Sequence, residues 1–419
     1  MSDALLRGCR LSDREGLVDI VVREGRIAAL ARHEPSAGHA AEAIEVGGRL
    51  VTPGLVEAHI HLDKAFLSER ITAPTSSVRE AIRLVGDAKR AFTAEDICAR
   101  ARRVLDLAVA AGTTAMRAHV EVDPVVGLTG MEAMLTLKTE YAPALDLQLC
   151  AFAQEGILQS PGTEALLGRA LQMGADLVGG CPYNDTDPLA HIDIIFRLAR
   201  TFGVDVDFHV DFFDEPDHLH VREIIERTRR NGWQGRVAVG HLTELAALPI
   251  VRQDEIIAGL RDAEIGVICL PATDLYLMGR SDEVSPRRGL TPVRRLLAAG
   301  VPVALASNNI RNPFTTIGTA DLCHMAFLAA VAAHMGTPED LRRLVAALTI
   351  HPARILKLPR YGLVPGAAAD LVVWDCASVE EVVATLPGRV LVMRRGRVSI
   401  EHERRVHERW RAGPPEPHP

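Results

Sequence analysis

Apolar residues recur along the chain with two different periods. Over the first 50 residues they alternate, as in Leu17-Val18-Asp19-Ile20-Val21-Val22, which runs through Glu24-Gly25-Arg26 into Ile27-Ala28-Ala29-Leu30. A period of two is that of a strand with one buried face, and the glycine marks a hairpin turn. The same texture returns in Ala369-Asp370-Leu371-Val372-Val373-Trp374 and Arg389-Val390-Leu391-Val392-Met393. The two ends are therefore expected to share one sheet in a small β-sandwich domain.

Between them, amphipathic helices close on glycine and short apolar strands follow within a few residues. Gly112, Gly174, Gly203 and Gly300 stand where helix C-caps are expected. Eight strands are predicted: Gly54 to His61, Thr114 to Val122, Leu147 to Gln154, Asp176 to Tyr183, Val204 to Asp211, Arg236 to Leu242, Gly266 to Ala272 and Val301 to Asn308. Eight helix-and-strand units predict an α/β fold, a closed (β/α)8 TIM-like barrel rather than an open sheet. The expected division is a composite β domain over 1–50 and 356–403, a catalytic barrel over 51–355 and a polar, proline-rich tail over 404–419.

Composition narrows the function classes. Hydrophobic residues make up 48% and charged residues 24% of 419, which suits a compact globular body. A net charge of -7 argues against a nucleic-acid partner. No run approaches the roughly 18 apolar residues of a membrane helix, and the first ten residues lack the apolar stretch of a signal peptide. The seven cysteines are scattered and never form C-x-x-C, as reduced core residues do. The expected location is the cytoplasm.

In a parallel barrel, reacting groups project from the C-terminal ends of the strands. Here those ends are polar: His59-Ile60-His61-Leu62-Asp63-Lys64, His119-Val120-Glu121, Gln154-Glu155, His209-Val210-Asp211, His241, and Ser307-Asn308-Asn309. His59 and His61, two apart, leave the same face of a strand and can converge on one metal ion. The pair alone is a weak signal. Three further strands ending at or near a histidine make a metal or catalytic cluster the better reading than a set of core histidines.

The segment from Val51-Thr52-Pro53-Gly54 to His59-Ile60-His61-Leu62-Asp63-Lys64 resembles the opening of the amidohydrolase superfamily. Ala151-Phe152-Ala153-Gln154-Glu155-Gly156, Phe208-His209-Val210-Asp211, Gly240-His241 and Asn312-Pro313-Phe314 narrow the resemblance to the branch of bacterial cytosine deaminases and N-isopropylammelide isopropylamidohydrolase, over nearly the whole chain. The resemblance implies that His59, His61 and His209 bind one divalent metal, zinc or iron, and that His241 handles protons. It implies that Gln154 hydrogen-bonds the substrate ring, and it hints at a homo-oligomer. Lys64, Ser307 and Asn309 are features closer to the triazine enzymes.

Two positions depart from the pattern. Phe212 stands where cytosine deaminases carry a proton-shuttling glutamate, and Asn308 where the family has a metal-binding aspartate. Asn308 offers a carbonyl oxygen as a weaker metal ligand, without charge or basicity. Metal affinity is then expected to fall, and proton transfer to pass to His241 or to Lys64 acting as a base. The resulting expectation is hydrolysis of a C–N bond in a small N-heterocyclic or lactam-like compound. The alternative is a catalytically silent or metal-poor homologue that binds a small ligand.

Other polar residues have plainer readings. Asp211, Asp214, Glu215 and Asp217 read as a solvated loop, and His218 and His220 as surface. Asp63 can orient a ligand histidine, and His119 can reach substrate or make a structural hydrogen bond. The loops Cys181-Pro182-Tyr183-Asn184-Asp185 and Thr273-Asp274-Leu275-Tyr276 are expected to shape the pocket.

Overall fold

The computed structural model describes residues 3–34, 43–73, 75, 77–216, 219–403, 405 and 407. Most of the expected proline-rich tail lies outside them, as do Asp217 and His218. Among the described residues no helix is long and apolar enough to cross a membrane.

The alternating N-terminal segment forms β1 (Ala4–Arg10), β2 (Leu17–Arg23), β3 (Arg26–Arg32) and β4 (Ala43–Glu45), in the order β3-β2-β1-β4. Next come β5 (Val51–Pro53) and, across Gly54, β6 (Leu55–Ile60). The barrel continues as β7 (Thr113–Glu121), β8 (Asp146–Ala153), β9 (Leu177–Gly180), β10 (Asp205–Val210), β11 (Val237–His241), β12 (Gly266–Cys269) and β13 (Val303–Leu305). The chain ends in β14 (Leu371–Trp374), β15 (Arg389–Arg394) and β16 (Arg397–Glu401).

The two ends do not share one sheet. The C-terminal strands make their own antiparallel sheet, β16-β15-β14-β5, and among the described residues the short β5 is the only N-terminal strand in it. The two sheets meet in a common core where Leu6, Ile20 and Ile27 pack with Leu371, Val373 and Met393, while Val372, Trp374 and Val392 on the other face of the C-terminal sheet join the barrel core. The module is thus a sandwich of two four-stranded sheets rather than a single sheet. Backbone contact between Ile27 and Ala367 (2.9 Å) ties them along one edge.

Strands β6 to β13 follow one another in a single parallel sheet. Buried on both faces, they read as nearly continuous apolar runs, as parallel strands do. The regular strands are shorter than the sequence pattern suggests, because their C-terminal residues leave the ladder to enter the site. Pro182–Asn184 turns into a 3-10 helix, and Pro271–Leu277 into an α-helix that begins within the expected seventh strand. Barrel closure rests on Asn308, whose amide donates to the His59 carbonyl (2.9 Å) and whose carbonyl accepts from the His61 amide (2.8 Å).

Outside the barrel, helices bury one stripe each. Ser77 and Thr93 cap Val78–Ala88 and Ala94–Ala110 by accepting the amides of Glu80 and Asp96, satisfying donors that a helix start leaves open. The four glycines expected at helix ends all take positive φ.

At Gly179 in β9, an added Cβ would overlap the backbone carbonyl of Asp207 on β10 and approach the Cys150 sulfur at 3.1 Å. A strand carbonyl cannot move aside as a side-chain tip can. Gly179→Ala is therefore expected to destabilise the barrel by about 3 kcal/mol, read as a lowered midpoint in thermal or urea unfolding. An unchanged midpoint would show that the strands can part to admit a methyl group.

Candidate active site

Strand register brings the four histidines together. β6 delivers His59 and, one residue beyond its end, His61; β10 delivers His209, and β11 delivers His241, which pairs with Val210. Ring centroids of His59 and His209 lie 4.3 Å apart, and those of His209 and His241 5.2 Å. One nitrogen from each of His59, His61 and His209 lies within 4.8 Å of the others, and all three residues are buried.

Several polar atoms here have no hydrogen-bond partner among the described residues: His59 Nδ1 and Nε2, His61 Nδ1, His209 Nε2 and the side-chain oxygen of Asn308. A buried polar atom left unpaired costs about 1–3 kcal/mol, so such a concentration points to a bound group. Burial above all, and then neighbouring histidines and Lys64, hold His59 and His61 well below the ordinary histidine pKa; the same burial and its histidine neighbours do so for His209. Neutral imidazoles present lone pairs. The donor set fits a divalent cation that accepts nitrogen ligands.

Beneath the three histidines lies a second buried layer. His119 stacks on His59 with centroids 4.0 Å apart and sets Nε2 3.4 Å from Asp207. Arg117 donates to the other Asp207 oxygen at 2.8 Å. His119 is fully buried with neither ring nitrogen hydrogen-bonded among the described residues, and with His59 and Asp207 it forms a second group of possible metal ligands. Glu57, two residues before His59, accepts the amides of His59 (3.1 Å) and Ser307 (3.1 Å), and burial pushes its carboxyl up to about 7.

Lys64 donates to Glu121 at 2.7 Å and to the Gln154 side-chain oxygen at 3.4 Å, and its ammonium lies 4.4 Å from the centre of the Phe314 ring. Glu121 is shared with Lys89, which reaches in from outside the barrel and also contacts Asp123 (2.9 Å) and Glu155 (2.8 Å). Burial would push the Glu121 carboxyl up, but Lys64 and Lys89 outweigh it and hold it well below the ordinary range. Asp63 accepts the Glu121 amide (2.8 Å), so it supports this network rather than a ligand histidine.

His241 is held on three sides. Its Nδ1 lies 2.8 Å from Asp274, the Phe212 ring stacks on it with centroids 3.6 Å apart, and the Thr291 hydroxyl donates to its carbonyl. Phe212 also belongs to an apolar cluster with Leu67, Val78, Leu277 and Phe314. On the last strand end, Asn309 accepts from the Asn312 side chain at 2.7 Å.

Two plain readings need correction. The run after β10 is not simply a solvated loop: Asp211 is fully buried and accepts the amides of His220 (2.8 Å) and Val221 (3.1 Å), while Asp214 accepts that of Gly279 (2.8 Å). These donors open the helix Val221–Arg230, so a carboxylate here serves as a cap. His220 is not at the surface but is buried beside Asp211, at 3.6 Å.

Sequence reasoning missed three residues and the role of a fourth. Glu57 and Asp207 share the two-residue period of His59 and His209, a signal that could have been used. Lys89 comes from another segment and carried none, and Asp274, read only as part of a pocket-shaping loop, pairs with His241.

A parallel eight-stranded barrel beside a small β-sandwich, with three buried histidines placed as candidate metal ligands at its C-terminal mouth, is the architecture of a barrel hydrolase. The family comparison agrees, matching residues 42–400 to the amidohydrolase family. The chain is 30% identical to N-isopropylammelide isopropyl amidohydrolase of Pseudomonas sp. strain ADP, covering 96% of this chain and 98% of that protein. It is also 30% identical to pterin deaminase of Rhizobium rhizogenes, covering 92% and 88%. The structure of 5-methylcytosine deaminase from Klebsiella pneumoniae liganded with phosphonocytosine superposes with a TM-score of 0.92 at 30% identity, covering 96% and 99%. This chain belongs to the amidohydrolase family.

Removing Lys89 would leave Glu121, Asp123 and Glu155 without their shared cation. Lys89→Met is expected to cost about 3–5 kcal/mol at neutral pH. The folded pKa of Glu121 is depressed, so its contribution is present above its unfolded value near ~4.3 and lost as pH falls toward the folded value. The gap in melting temperature between wild type and variant should therefore narrow below about pH 4; a gap independent of pH would exclude this charge pairing as the cause.

Proposed function

We propose that this chain hydrolyses a C–N bond in a small N-heterocyclic or amide-like compound, by deamination, removal of an alkylamine or opening of a ring amide. The observation that carries this reading is the set of unpartnered buried nitrogens on His59, His61 and His209, gathered beside His241 and the Lys64–Gln154 pair. The relatives support it, being named for C–N chemistry on an ammelide, a pterin and a cytosine.

His59, His61 and His209 would hold one zinc or iron ion, with the Asn308 oxygen as a neutral fourth donor. Bound there, the ion supplies Lewis acidity and makes water a nucleophile near neutral pH. His241 takes and returns the proton that must reach the departing nitrogen. An ammonium paired with Glu121 has no lone pair to take a proton, so Lys64 suits substrate binding better than the role of base. With Gln154 it presents a donor edge for ring nitrogen or oxygen. Phe212 and Phe314 close the site with apolar surface, which excludes water and strengthens these contacts.

Metal analysis of the purified protein, combined with turnover of aminotriazines, N-alkylaminotriazines, pterins and aminopyrimidines, tests the reading. Near-stoichiometric metal with turnover of at least one class is the expected result, and His61→Ala should lose both. A metal-free protein that turns over none of them would instead be the silent ligand binder.

Asn308 adopts φ +58°, a conformation that asparagine and aspartate both tolerate. Asn308→Asp is therefore expected to keep the backbone and add a charged donor, raising metal affinity about tenfold or more, or ~1.4 kcal/mol. Competition with a chelator measures this, and unchanged affinity would place Asn308 outside the ligand set.

A further inference from the structure

Where proton transfer falls to a histidine, the site must decide which ring nitrogen carries the hydrogen. Most buried carboxylates around the centre are already engaged. Glu57 accepts backbone amides across the barrel seam, and Asp211 caps a helix. Asp207 holds Arg117, and Glu121 holds two lysines. Asp274 differs: its carboxylate lies 2.8 Å from His241 Nδ1, and its other oxygen accepts only the amide of Leu270, at 3.3 Å.

The surroundings of His241 indicate a ring held for a purpose. The residue adopts φ +70°, and Leu242 follows at +59°. A non-glycine residue in the left-handed region is disfavoured and persists where the surroundings hold it. Here Phe212 covers one face, Thr291 fixes the carbonyl and Asp274 takes the nitrogen. The Asp274 side chain is fully buried on the helix Pro271–Leu277, so it cannot swing out to solvent.

We propose that Asp274 is a positioning residue that fixes the tautomer of His241, keeping hydrogen on Nδ1 and leaving Nε2 as the nitrogen with a lone pair. A carboxylate can only accept at this position, so it selects Nδ1–H. The arrangement is that of the aspartate and histidine of a hydrolase triad. In this chain, which has Asn308 on the last strand end, Asp274 supplies the negative charge that accompanies proton transfer. The inference rests on the hydrolytic reading above for its consequence, but not for its test.

The test is nitrogen-15 NMR of the full chain labelled at histidine, at mildly alkaline pH, with His241 assigned by difference from His241→Asn. Wild type should show Nδ1 protonated and Nε2 bare. In Asp274→Asn the side-chain amide can donate to Nδ1, so the hydrogen should move to Nε2. On a substrate found in the panel, kcat should fall by about 100-fold or more with KM within about threefold, and Asp274→Glu should recover part of it. A wild-type spectrum with hydrogen on Nε2 would overturn the assignment, and needs no variant to fold. So would an Asp274→Asn protein with unchanged tautomer and kcat. If the tautomer shifts as stated but no compound is turned over, the hydrolytic reading falls and the Asp274 assignment stands; turnover with an unshifted tautomer gives the reverse.

Discussion

The seam between the first and last barrel strands is the constraint on which the site depends. Two backbone hydrogen bonds of Asn308, to the His59 carbonyl and from the His61 amide, join chain segments almost 250 residues apart. Glu57 reinforces the seam by accepting the amides of His59 and Ser307 from both sides. Closure turns an apolar sheet into a ring whose polar strand ends face one another. His59 can then meet His209 across the mouth, with ring centroids 4.3 Å apart.

Placing so many polar groups in a dry interior requires that each have a partner. The structure meets that need for some of them. Lys89, Glu121, Lys64 and Gln154 satisfy one another, and Arg117 pairs with Asp207 in the layer below. Among the described residues both ring nitrogens of His59 and His119, with His61 Nδ1 and His209 Nε2, have no hydrogen-bond partner. The paired groups hold the strand ends that carry these nitrogens in place. The apolar cluster about Phe212 adds the dry wall that gives those charges their strength.

The departures from the family pattern fit this frame. Phe212 exchanges a proton carrier for a ring that stacks on His241, and Asn308 keeps the backbone geometry of the seam without a carboxylate. His241 is held between the Phe212 ring and the Asp274 carboxylate, while Lys64 is drawn into an ion pair with Glu121.

The barrel, the sandwich at its side and the histidine cluster were legible in the chain, because period-two and helical patterns, helix-ending glycines and polar strand ends are local properties. His59, His61, His209, His241 and Gln154 could be named for that reason. Which terminal strands share a sheet was not legible, since alternation says which face is buried and not which strand is the neighbour. Nor was the burial of Asp211 and His220, which a helix start imposes on what reads as a polar loop. Lys89, from outside the barrel, and Asp274, from the helix after β12, acquire their meaning only by reaching a particular carboxylate and a particular imidazole. Sequence by itself determined the scaffold and which residue types stand at its mouth. Tertiary structure alone decided which of them are partners, because ion pairing and tautomer depend on distances of a few ångströms between segments far apart in the chain.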